Sequence, residues 1–101
     1  MCGILGVIGK SNINKYFHPA LQTLYHRGPD AQGMWSSPSG KCIFGHRRLS
    51  IIDLSNDANQ PMHDPEGRYH IIYNGEIYNY PELRKELIAD WDFISMSDTE
   101  V

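Results

Sequence analysis

Cys2-Gly3-Ile4-Leu5-Gly6-Val7-Ile8-Gly9 follows the initiator Met1. It is a short apolar run broken by glycines, and it predicts a buried strand whose missing side chains let other backbone approach closely. The run begins on a cysteine that becomes the first residue once Met1 is removed, and cysteine is small enough for that processing. The chain then starts with a thiol and a free α-amino group in one residue. The amine titrates at ~7.7–8.0 and a thiol at ~8.5, so the amine can take the thiol proton and leave a thiolate. The same cysteine can equally be a small side chain buried at the start of a strand, where free cysteine is often found.

After this run, Lys10 to Lys15 reads as a polar loop. From Tyr16 to His26 the apolar positions Phe17, Ala20, Leu21, Leu24 and Tyr25 recur at helical spacing, and Pro19 suits a first turn. Arg27-Gly28-Pro29-Asp30 ends that helix. Gly33–Ser37 and Lys41–Ser50 read as two strands joined at Pro38-Ser39-Gly40, and Leu49–Asp53 as a further strand. Ser55–Gln60 is a loop, and Asp64–Gly67 a turn. Arg68–Tyr73 and Glu76–Asn79 read as the arms of a hairpin with Asn74-Gly75 at its tip. Pro81–Ile88 predicts a helix with Leu83, Leu87 and Ile88 on one face, and Trp91–Met96 alternates as a strand does. Ser97-Asp98-Thr99-Glu100 has the capping-box pattern of a helix start. The fold class that results is an α+β mixture in one domain.

Composition excludes more than it selects. The chain has 101 residues, 41% of them hydrophobic and 21% charged, as in an ordinary globular domain. A formal net charge of −3 gives no basic footprint for nucleic acid or an anionic membrane. No stretch approaches the roughly eighteen apolar residues that span a bilayer, and the N-terminus lacks the pattern of a signal peptide. Cys2 and Cys42 make no disulfide framework, so the expectation is a cytoplasmic protein with free thiols. Cys42 is read as core. The histidines, His18, His26, His46, His63 and His70, lack metal-ligand spacing and are read as structural or exposed, so no metal site is expected.

A nucleophilic Cys2 would need oxyanion donors and a means of holding substrate. Asn74 offers a side-chain amide beside the unhindered N–H of Gly75, one way to build an oxyanion hole, although Asn-Gly is also a common plain hairpin turn. Arg48 could grip a carboxylate with its forked donors or be one of a solvated surface pair with Arg47. Asp98 could bind an ammonium group or simply sit at a helix start. Arg48 and Asp98 together match the charges of an α-amino acid, but sequence alone does not bring them together.

Met1-Cys2-Gly3-Ile4, HRGPD at 26–30, GHRRLSIIDLS at 45–55, NQPM at 59–62, YNGEIYNY at 73–80 and SDTE at 97–100 together resemble the class II glutamine amidotransferase domain. More narrowly, they resemble the N-terminal part of glutamine-hydrolysing asparagine synthetases. The resemblance spans nearly the whole chain, and six motifs in the family's order are far more specific than any one. It implies an Ntn-hydrolase α/β/β/α sandwich of antiparallel sheets, incomplete in so short a chain. Residues 1–101 would be a partial type 2 domain with the synthetase domain absent, and ATP and magnesium would serve only that absent domain. Cys2 would attack the side-chain amide of glutamine to give a γ-glutamyl thioester, ammonia and then glutamate, with Asn74 and Gly75 as the oxyanion hole. Arg48 would hold the α-carboxylate, Asp98 and the Glu76 region the α-ammonium, and Leu49, Ile51 and Ile52 would line the pocket. The HRGPD loop would brace the site. The implied partners are glutamine and an ammonia-accepting synthetase domain or chain, with association of copies through open sheet edges. The rival readings are a catalytically incompetent truncated domain that binds glutamine or a partner synthetase, and a different Ntn hydrolase cutting another amide. The latter would have no use for Arg48 and Asp98.

Overall fold

A computed structural model describes residues 1–9 and 14–101. Most of the expected loop at Lys10–Lys15 lies outside the described residues; its last two positions, Asn14 and Lys15, already belong to a helix. The glycine-broken run forms β1 (Gly3–Ile8), as its pattern predicts. Helix α1 (Asn14–Gln22) starts earlier than its apolar periodicity suggested, so Pro19 lies beyond the first turn. A short 3-10 turn, Tyr25–Arg27, completes the segment expected as one continuous helix. Strands β2 (Ala31–Ser36) and β3 (Cys42–Arg48) form the predicted hairpin, and Gly40 adopts the left-handed conformation (φ +69°) at its turn.

These strands make an antiparallel sheet in the order β1-β3-β2. Register assigns the faces, because paired residues project to the same side. Leu5 opposite Gly45, and Val7 opposite Ile43, face α1. There Ile43 packs with Phe17 and Leu21, and Leu5, Val7 and Leu24 border that core. Gly45 has no side chain because Phe17 and Leu21 occupy the space a Cβ would need. The opposite face carries Ile4, His46, Gly33, Phe44, Trp35 and Arg48. Strands β4 (Met62–His63) and β5 (His70–Ile71) form a two-stranded sheet, and His70 stacks on Trp35 with ring centroids 3.8 Å apart. The molecule is only 19 Å through its thinnest axis, about two packed layers.

Beyond β3 the backbone is less regular than expected. Leu49–Asp53 forms no strand; its peptide groups are used by Cys2 and Asp30. The hairpin at Asn74-Gly75 is also absent: β5 pairs with β4, and Glu76–Asn79 is not a strand. Gly75 lacks the positive φ that a two-residue type I′ hairpin turn demands. Trp91–Met96 is irregular too, because the Ile94 and Ser95 amides bond the Glu100 carboxylate and the Met96 amide bonds Asp53. Helix α2 (Tyr80–Leu87) forms where Pro81 predicts, but it buries no residue completely and leaves Leu87 and Ile88 exposed. The expected capping box becomes a 3-10 turn, Asp98–Glu100, in which the Ser97 hydroxyl accepts from the Thr99 amide. No helix is long and apolar enough to cross a membrane among the described residues.

Two glycines fix how closely the irregular segments approach the sheet. A Cβ on Gly33 would fall on the Gln60 carbonyl, and one on Gly28 would fall on the Arg47 peptide group. Overpacking of this kind costs about 1–3 kcal/mol. G33A and G28A should therefore each lower the melting temperature by several degrees. G40A has open space around it and should lose only about 1 kcal/mol to backbone strain. Urea melts of the three variants check the ranking.

Candidate active site

Cys2 immediately precedes β1, on the sheet face opposite α1. Its Sγ accepts from the Leu49 amide at 3.3 Å and lies 3.7 Å from the Leu49 carbonyl. The Cys2 carbonyl accepts from Arg27 Nε at 3.0 Å. The turn after α1 thus holds the backbone of the cysteine, and the chain leaving β3 holds its thiol.

The HRGPD loop is fixed on both sides. Arg47 Nε donates to the Gly28 carbonyl at 2.9 Å, while the Asp30 amide bonds the Arg48 carbonyl at 3.0 Å. Asp30 Oδ2 accepts from the Ser50 amide at 2.8 Å. Asp53 then ties this segment to the end of the chain: Oδ1 accepts from the Ser55 amide at 2.7 Å and Oδ2 from the Met96 amide at 2.6 Å. Ser55 first, and then the Met96 amide, hold the Asp53 carboxyl below its usual range.

A cavity of about 380 Å³ opens between the sheet face and these segments. All nine residues singled out in the sequence line it: Cys2, Arg48, Leu49, Ile51, Ile52, Asn74, Gly75, Glu76 and Asp98. Their environments differ. Arg48 and Asp98 are buried, whereas Ile51, Ile52, Gly75 and Glu76 are exposed at the rim. Arg48 Nη1 donates to the Ser55 carbonyl (2.6 Å) and Asn59 Oδ1 (2.9 Å), and Nη2 donates to the Asp53 carbonyl. Three of its five N–H groups therefore hold the 53–59 loop, leaving Nε and one Nη2 proton. Asp98 Oδ2 accepts from the Ile77 amide at 2.8 Å. Among the described residues the direct ion pairs are those of Arg68 with Asp64 and Glu66. The cavity therefore contains a buried cation and a buried anion, each bound to neutral groups rather than to an opposite charge. Buried charges are costly without compensation, so the arrangement favours a ligand with both signs.

Of the lining residues that the sequence reading did not name as site residues, Gln60, Tyr73 and His46 bear most on the geometry. Gln60 is buried; its Oε1 accepts from the Tyr73 amide at 2.6 Å and its Nε2 donates to the Thr99 hydroxyl at 3.2 Å. Tyr73 lies against Gly75, where a Cβ would fall on the phenol hydroxyl. His46 is 1% exposed, so of its two readings, structural or exposed, burial removes the second, and neither ring nitrogen has a protein partner. The period-2 alternation of β3 from Phe44 to Arg48 could have placed it on the face that carries Arg48.

The chain matches the family described as the glutamine amidotransferase domain over residues 1–101. It belongs to that family. It is 44% identical over 115 aligned residues, covering all of this chain, to asparagine synthetase [glutamine-hydrolyzing] 1 of Bacillus subtilis, of which it spans 17%. It is 39% identical to the Saccharomyces cerevisiae protein of the same name, over 99% of this chain and 17% of the relative. To the amidase chry2 of Gibberella zeae it is 45% identical over 81% of this chain and 12% of that protein. The chain thus spans about one sixth, or less, of the length of these relatives.

Burial, with a smaller contribution from the Arg48 charge, lowers the His46 pKa from its ordinary 6.5 to about 4; the Tyr73 backbone acts in the opposite sense. Above pH 6.5 the ring is neutral in both folded and unfolded chains and costs no stability. As pH falls from 6.5 to 4 the unfolded chain takes up the proton first, so stability should fall by up to about 3 kcal/mol. The depressed carboxyls of Asp53 and Asp64 contribute only at lower pH. Urea melts at steps from pH 7.5 to 4 check this slope, which should flatten in H46Q.

Proposed function

We propose that this chain is the glutamine-hydrolysing part of an asparagine-synthetase-type amidotransferase. One observation carries the reading: a cysteine thiol, a donor pair at Asn74-Gly75, a buried arginine and a buried aspartate all line one cavity. Its volume lies within the range of small-molecule pockets, ~300–1,000 Å³. The unpaired charges of Arg48 and Asp98 suit the α-carboxylate and α-ammonium of a free amino acid. That favours glutamine over a simple amide and over another Ntn-hydrolase substrate.

In this reading Met1 is removed, and the α-amino group of Cys2 takes the thiol proton. Sγ attacks the side-chain carbonyl carbon of glutamine, and the Asn74 amide and Gly75 N–H receive the developing oxyanion. Collapse breaks the C–N bond, and the protonated amine returns its proton to the leaving nitrogen, releasing ammonia. Water then adds to the γ-glutamyl thioester, the amine again acting as base, and the C–S bond breaks to give glutamate and the free thiol. The remaining N–H groups of Arg48 meet the α-carboxylate; Asp98 Oδ1, with Glu76 at the rim, meets the α-ammonium. Leu49 positions the thiol through its peptide group, and Ile51 and Ile52 form the apolar wall. The sandwich of the Ntn hydrolases is the corresponding architecture, with α1, the three-stranded sheet and the β4–β5 layer forming part of it. The ammonia acceptor would be a synthetase domain or chain using ATP and magnesium, in the cytoplasm. Residues 1–101 would then be only part of the whole amidotransferase.

Intact mass tests this directly. After removal of Met1, a diazoketone analogue of glutamine should add once to the chain, at Cys2, and C2A should take up none. A chain that retains Met1 should not react at a comparable rate, because its Cys2 nitrogen is an amide and not a base. Labelling of C2A at the parental rate, or glutamine hydrolysis by C2A, would sink the mechanism. A processed parent that binds glutamine without forming an adduct would favour the non-catalytic binding reading.

A further inference from the structure

Gln60 is the lining residue whose bonds reach two separate parts of the cavity wall. Its backbone carbonyl sits over Gly33 of β2, which seats the residue on the cavity face of the sheet. Its side chain is buried and bonds in two directions. Oε1 accepts from the Tyr73 amide at 2.6 Å, and Nε2 donates to the Thr99 hydroxyl at 3.2 Å. A backbone N–H can only donate, so the oxygen of the carboxamide must face Tyr73 and its nitrogen Thr99. Tyr73 precedes the Asn74-Gly75 donors, and its ring lies where a Cβ on Gly75 would fall. Thr99 follows Asp98, whose Oδ2 accepts from the Ile77 amide at 2.8 Å. These connections close into a ring: from Gln60 to Tyr73, along the chain to Ile77, across to Asp98, and through Thr99 back to Gln60.

Residues 72–77 form neither strand nor helix, so no backbone ladder fixes where Asn74 and Gly75 stand. Two side chains anchor that segment instead, Gln60 before the donors and Asp98 after them. Oxyanion donors stabilise developing charge only when they are held in place before it forms. We infer that Gln60 is a positioning residue whose two ends hold the two halves of the site in a set relation. Its Oε1 end sets the Asn74–Gly75 donors against the oxygen of the carbonyl that Cys2 attacks. Its Nε2 end holds the turn that presents Asp98 to the α-ammonium. A neutral carboxamide suits this place because one planar group supplies both an acceptor and a donor. The inference rests on the glutaminase reading and adds to it the residue that aligns the donors with the ammonium site. In this role Gln60 acts through Tyr73 and Thr99 rather than on substrate.

The test follows inactivation of the Met1-processed chain by the diazoketone analogue of glutamine, separating binding (KI) from bond formation (kinact). Q60M keeps the length but has no polar end, and it should lower kinact about tenfold, part of what losing one oxyanion donor costs. T99V cuts only the Nε2 end. It should raise KI about fivefold, by loosening a bond to a charged group, and leave kinact within about twofold of the parent. T99S, which keeps the hydroxyl, should bind as the parent does. A second diazoketone without the α-amino group locates the effect. Against it T99V should leave KI unchanged, because Asp98 then has no ammonium to meet. A merely structural role would move both analogues alike. Unchanged kinact in a folded Q60M, or a T99V effect on KI that is absent or equal for the two analogues, would overturn the inference. Should Q60M fail to fold, Q60N takes its place, since its amide is one methylene short of reaching both partners. Unchanged kinact in Q60N would count equally against the role. If the parent chain is not labelled at all, the glutaminase reading falls first and Gln60 with it. If the parent is labelled and these variants match it, the inference about Gln60 alone is wrong.

Discussion

Arg47 and Arg48 are consecutive residues of one strand, so they cannot reach the same side of the sheet. That constraint divides the molecule. Arg47 turns toward α1, where it bonds the Gly28 carbonyl and lies over the Tyr25 ring. Arg48 turns the other way, into the cavity, and gathers the 53–59 loop around itself. Odd-numbered positions of β3 build a scaffold with the helix, and the even-numbered His46 and Arg48 line the cavity. Cys2 joins the second set because β1 runs antiparallel to β3 with Gly3 opposite Arg47, which places the preceding residue beside Arg48. A shift of one residue in this register would send the thiol and the arginine to different faces.

This division explains what was legible in the sequence. The glycine-broken first strand, the β2–β3 hairpin and helix α2 follow from local pattern, because regular backbone-to-backbone hydrogen bonds satisfy them. Leu49–Asp53, Glu76–Asn79 and Trp91–Met96 have the composition of strands and form none. Their amides are taken by side chains far away in sequence: Leu49 by Cys2, Ser50 by Asp30, Ile77 by Asp98 and Met96 by Asp53. Propensity reports how well a residue suits a pleated surface, and it carries no information about a carboxylate arriving from elsewhere. The Asn74-Gly75 dipeptide misled for the same reason. Its flanks are anchored by Gln60 and Asp98 rather than by each other.

The candidate site was legible as residue types but not as geometry. An arginine and an aspartate suited to an amino acid could be named, but their separation along the chain gave no reason to place them together. What escaped was the support. Gln60 sits in a stretch that reads as a polar loop, and His46 sits between Gly45 and two arginines, where strand alternation gives its face but not its burial. A buried glutamine bridging two backbone segments and a buried imidazole without a partner are tertiary facts.

The fully buried apolar core is small, consisting of Phe17, Leu21, Ile43 and Ala58 among the described residues. Phe17, Leu21 and Ile43 hold α1 on the sheet, and of the segments that close the cavity only the 53–59 loop contributes to this core, through Ala58. Those segments are held by individual side-chain bonds to backbone, each worth about 0.5–1.5 kcal/mol, or ~1.5–3 where a charge is involved. The residues that make them coincide with the short motifs of the sequence. Arg27 and Asp30 come from HRGPD, Arg47, Arg48 and Asp53 from GHRRLSIIDLS, Gln60 from NQPM, and Asp98 and Glu100 from SDTE. A core tolerates exchange of one apolar residue for another of similar volume. A carboxylate that accepts one particular amide has no such substitute, since even its amide analogue loses the charge that strengthens the bond. A site held by clamps of this kind therefore depends on the identity of single residues, and those residues lie within the short motifs by which this chain resembles its family.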